Sequence, residues 1–127
     1  MITPLLPVTF TVISVLAISL LGFASWIGLL RGKLGILRGD GGNAVLFKRI
    51  RIHGNLMENA PVFVLVLGAA ESAGLGTQWL WLAVATFVAG RLLHVPLYDM
   101  KLRGAAMFLT ILPGVLMGGW LLARIWL

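Results

Sequence analysis

LLPVTFTVISVLAISLLGFASWIGLL, Leu5–Leu30, runs for about 26 residues without an acidic or basic side chain. A stretch of some 20 such residues is what the hydrocarbon core of a bilayer requires of a helix. The absence of any basic residue in Met1–Thr11 argues for a retained anchor rather than a cleavable signal peptide, which opens on a basic region and has a shorter apolar core. Two further runs have the same character: Trp79–Leu93 with its extension to Tyr98, and Ala105–Ala123. A fourth, Ala60–Ala70, is short but directly follows a polar stretch. Hydrophobic residues make up 60% of the 127 positions and charged residues 11%, well below the usual quarter for soluble domains. The expected architecture is a single all-α domain, residues 1–127, an integral membrane up-down four-helix bundle. Its spans fall at about 5–30, 44–71, 78–98 and 105–127.

Glycine-rich or polar breaks separate the spans at 31–43, at SAGLGT (Ser72–Thr77) and at DMKLRG (Asp99–Gly104). Connections this short make successive helices antiparallel. The net charge of +6 is distributed as an orientation signal, not as a nucleic-acid footprint. Arg31, Lys33, Arg38, Lys48, Arg49 and Arg51 follow the first span, and Lys101 and Arg103 separate the third from the fourth. Glu71–Gln78 has no lysine or arginine. By the positive-inside rule, loops 31–43 and 99–104 are cytoplasmic and both termini lie on the other side, with Arg124 alone against the trend. Trp26, Trp79, Trp81, Trp120 and Trp126 lie near span ends, as interfacial anchors do. There is no cysteine, so any thiol chemistry needs a thiol from a co-substrate. His53 and His94 are the only histidines and no carboxylate cluster accompanies them, which gives no metal site.

Against this background RIRIHGNLMENAP, Arg49–Pro61, needs explaining. A helix from Asn43 to Glu71 is roughly 42 Å long against roughly 30 Å of hydrocarbon. At about 100° per residue, Arg51, Asn55 and Glu58 fall within an arc of roughly 60°, with Lys48 at its edge, whereas Arg49 and His53 point the other way. Two readings are open. Arg51 and Glu58 form an internal salt bridge through Asn55, since intramembrane charges are paired; or the three groups line a pocket for a zwitterionic ligand, with arginine taking a carboxylate and glutamate an ammonium. The third span offers Arg91, His94 and Tyr98 on one face at the same depth. Snorkelling accounts for Arg91 alone; a shared site accounts for both stripes. A proton or drug exporter needs an ionisable group in mid-span, and here such groups gather near one end.

Arg51-x-x-x-Asn55-x-x-Glu58 followed by Pro61, together with GRLLHVPLYDMKLRG (Gly90–Gly104), resembles the signature of the MAPEG superfamily, the membrane-associated proteins in eicosanoid and glutathione metabolism, in a bacterial-type member. The resemblance covers essentially the whole chain. It implies a homotrimer in membrane lipid with glutathione as co-substrate between subunits near the cytoplasmic face. By motif position Arg51, Asn55, Glu58 and Arg91 bind glutathione, with His94 more loosely and Lys48 adding positive potential. It further implies a glutathione transferase or peroxidase acting on a hydrophobic small molecule; a non-catalytic binding or scaffold protein of the same fold is the alternative. The chain departs from the best-known members in two places. Gly104–Trp120 contains no basic residue where leukotriene- and prostaglandin-synthase types carry a thiol-activating arginine, and Asn59 stands where some members have an aromatic residue. Tyr98 becomes the candidate thiol activator, and Arg103, a few residues too early, the weaker one. Eicosanoid synthesis is not implied.

Overall fold

The computed structural model describes residues 5–127. Four helices follow one another: α1 (Pro7–Leu34), α2 (Ala44–Ser72), α3 (Thr77–His94) and α4 (Arg103–Trp126). Among the described residues there is no strand, and the fold is an all-α four-helix bundle. α1 and α4 are each long and apolar enough to cross a membrane.

Each end has a local cause. Pro7 stands in the first turn of α1, where its missing N–H is no loss. Gly35 ends that helix at φ 65° and donates to the carbonyls of Arg31 and Gly32, the left-handed cap that glycine adopts without strain. Asn43 caps α2, its side chain accepting from the Leu46 N–H at 2.9 Å. α3 stops at His94, short of the expected span end at 98. Pro96 lacks a donor and its ring crowds the carbonyl four residues back, so residues 95–102 run as successive turns. Tyr98 thus stands on the connection to α4 and not on the helix of Arg91 and His94.

The buried stripes repeat at alternating three- and four-residue steps: Leu56, Ala60, Phe63, Leu67 and Ala70 on α2; Leu80, Ala83, Phe87, Gly90 and His94 on α3; Ala106, Thr110, Pro113 and Met117 on α4. Phe63 and Phe87 stack with centroids 4.2 Å apart at the centre. α3 and α4 form the most extensive helix pair, α2 packs on both, and α1 lies on the flank against α2 and α3. Small residues permit this. A Cβ on Gly90 would sit 2.6 Å from the Thr110 amide nitrogen and 2.9 Å from the Ala106 carbonyl oxygen, both backbone atoms of α4. Gly90→Ala is therefore expected to push α3 from α4 and lower stability by about 1–3 kcal/mol, measurable as a lower midpoint of thermal unfolding in detergent.

The flanking helix is latched at one end by Glu71. Its two carboxylate oxygens accept the N–H groups of Val8 at 2.9 Å and Thr9 at 2.8 Å. These are orphan donors of the first turn of α1, where a negative charge also meets the helix dipole. Glu71→Ala is expected to cost about 1–2 kcal/mol and to speed amide hydrogen exchange at Val8 and Thr9 while leaving the Phe63–Phe87 centre protected.

Candidate functional site

At the opposite end of α2, Lys48 forms an ion pair with Asp99 on the α3–α4 connection. The starts of α2 and α4 and the end of α3 therefore meet at one end of the bundle. Between them lies a cleft of about 360 Å³ lined by Arg51, Asn55, His94, Tyr98 and Arg103, with Gly104 and Met107 completing it. Five residues singled out in the sequence converge here from α2, α3, the connection and α4.

His94 anchors the floor. It is 1% exposed, and its Nε2 lies 3.0 Å from Nδ2 of Asn55. Its Nδ1 is buried without a partner among the described residues. One turn on, Asn59 donates from Nδ2 to the Asn55 carbonyl oxygen at 2.7 Å, so both asparagines are held in place. The Tyr98 ring meets His94 edge-on at 5.7 Å. Two cations lie 5.6 Å from the Tyr98 centroid, Lys48 and Arg103. Arg103 is the first residue of α4 and lines the cleft, although its place in the sequence looked too early. The turns of 95–102 bring it back beside Tyr98.

Three expected members stand elsewhere. Glu58 is exposed on a neighbouring cleft of about 310 Å³, which it shares with Asn59, Thr110 and Ile111. That cleft is one turn farther along α2 and α4 than Asn55 and Met107. Arg91 is partly buried behind the cleft, its Nη1 directed at Sδ of Met107 at 3.9 Å, a weak acceptor. Lys48 reaches the Tyr98 ring at the edge of the cleft but is held by Asp99 and lines an adjoining groove. Met107 is the lining residue that sequence reading missed; its one signal is its place a turn after Arg103.

The geometry also bears on the salt-bridge reading. Among the described residues the one ion pair is Lys48–Asp99; Arg51 and Glu58 are both exposed and do not pair within the chain. The cleft thus presents two guanidinium groups, an amide, an imidazole and a phenol, with no carboxylate of its own. Such a set recognises carboxylates and stabilises an anion.

A family model, the MAPEG family, matches residues 9–123. The chain belongs to the MAPEG family. Among relatives, the MAPEG chain is similar to inner membrane protein YecN of Escherichia coli, strains K12 and O6:H1, with 33% identity over 78 residues in both cases. The match covers 61% of this chain and 60% of each relative. No solved structure matches. Family and relatives together place this MAPEG protein in a membrane.

Proposed function

We propose that the protein binds glutathione in the cleft between α2, α3 and α4 and presents its thiolate to a lipophilic electrophile or peroxide, as a transferase or peroxidase. The observation that carries this is the convergence of Arg51, Asn55, His94, Tyr98 and Arg103 on one cleft without a carboxylate. The dimensions agree. Arg51 and Glu58 are seven residues apart on α2, about 10 Å along the axis, and an extended tripeptide spans about as much. Arg51 takes a terminal carboxylate of glutathione in a bidentate fork and Asn55 the peptide groups, and the ligand extends into the neighbouring cleft, where Glu58 takes the ammonium. The thiol then lies toward Tyr98 and Arg103, where a phenol hydrogen bond and a guanidinium stabilise its charge.

In transfer, the thiolate forms a carbon–sulfur bond as the leaving group departs with its electron pair. In reduction, it takes one peroxide oxygen and releases the alkoxide, and a second glutathione displaces water from the sulfenic acid to give the disulfide. Exposed Arg51 and Glu58 need cover from lipid, which a second copy of the chain supplies. A homotrimer with the basic loops 31–43 and 99–104 in the cytoplasm provides it.

The test is turnover by the purified protein in lipid micelles, following conjugate from an apolar halonitroarene and disulfide from a lipid hydroperoxide. Either product, formed faster than with glutathione in empty micelles and lost in Tyr98→Phe/Arg103→Gln, supports the enzyme. Glutathione binding with neither product would make the protein the non-catalytic binder of the same fold.

A further inference from the structure

Arg49 is not absorbed by this site. It projects from the opposite side of α2, where Nη1 donates to the Trp26 carbonyl oxygen at 2.6 Å and the guanidinium stacks 4.8 Å over the Trp26 ring. Among the described residues no carboxylate is within ion-pair distance of it. Intramembrane cations pair with anions or with backbone carbonyls; the Trp26 carbonyl takes Nη1 of Arg49, and the other N–H donors of the guanidinium are left for an anion. Arg49 faces a groove of about 570 Å³ between α1, α2 and the α3–α4 connection.

Charge and apolarity are layered along that groove. Lys48, Arg49, Asp99 and Trp26 line it at one level, with Ala44 and Val45 a turn nearer the start of α2. Ile52 lies a turn deeper on α2 than Lys48, and Val95 a turn deeper than Asp99 on the chain running the other way. A cationic layer with an interfacial tryptophan over an apolar floor matches a phosphate headgroup followed by an acyl chain, not a soluble anion. Lys48 is held by Asp99, which leaves Arg49 as the cation without a carboxylate. We infer that this groove holds one anionic phospholipid per chain, its phosphate on Arg49 and its first acyl carbons against Ile52 and Val95. The groove adjoins the glutathione cleft, with Lys48 and the α3–α4 connection between them, and does not depend on that reading.

Native mass spectrometry of the full chain, released from micelles doped equally with phosphatidylglycerol and phosphatidylcholine, tests it. One retained phosphatidylglycerol per chain is expected, favoured roughly fivefold, as one basic contact gives. Arg49→Gln should abolish the preference. Val45→Trp, which fills the groove and leaves every charge in place, should reduce retention of both lipids. Arg124→Gln, a cation at the far end of α4, should change nothing. Equal retention of the two lipids by the wild type, a preference that survives Arg49→Gln, undiminished retention in Val45→Trp, or displacement by excess inorganic phosphate would overturn the inference.

Discussion

Arg51→Ala is expected to cost about 3 kcal/mol of glutathione binding, on the order of a hundredfold in Kd, while leaving the fold intact. The two halves of that expectation come from different observations. The guanidinium lines the cleft, so its loss removes a charge-assisted fork to a carboxylate. It is also exposed and makes no ion pair or side-chain hydrogen bond among the described residues, so removing it should move stability by no more than about 0.5 kcal/mol. A structural salt bridge would behave in the opposite way, since removing one partner of a buried pair is strongly destabilising. Calorimetry and thermal unfolding on the same sample separate the two.

The second large effect concerns the thiol. A free thiol of the cysteine type has a pKa of about 8.5 and is only about 3% ionised at pH 7. Lowering it by two units takes about 2.7 kcal/mol of preferential thiolate stabilisation and raises the ionised fraction to about three-quarters. In the proposed function Tyr98 and Arg103 supply this together; the guanidinium lies 5.6 Å from the ring centroid. Tyr98→Phe removes the hydrogen bond and Arg103→Gln the charge. The double variant should return the bound thiol toward its free pKa and slow turnover at pH 7 roughly twentyfold, with most of the rate regained above pH 8.5. A variant damaged only in its packing would lose rate at every pH.

Much of this site was legible because polar groups in a membrane chain are expensive and must have a reason. Arg51, Asn55 and His94 stood out against apolar surroundings; helical spacing put Arg51 beside Asn55, and their common depth joined that stripe to His94 on the third helix. The core was not legible in the same way. Along Val62–Leu67 the buried Phe63 and Leu67 alternate with exposed Val62 and Leu65 of equal apolarity, because a helix facing lipid has no polar side to mark its outside. Gly90 was silent until α4 was seen against it. Glu71, at the expected end of the second span, had no visible role because its partners Val8 and Thr9 are more than sixty positions away. Tyr98 and Arg103 depended on Pro96, which ends α3 early and folds the connection back over the cleft. Helical spacing extended through that proline put Tyr98 on α3 and left Arg103 out of reach.

The account stands most directly on one titration: thiolate absorbance of the glutathione-saturated protein followed across pH. It predicts ionisation centred well below the free value of about 8.5, returning toward it in Tyr98→Phe/Arg103→Gln with the site still occupied. Ionisation of fully bound glutathione at its free pKa, or no saturable binding at all, would contradict it.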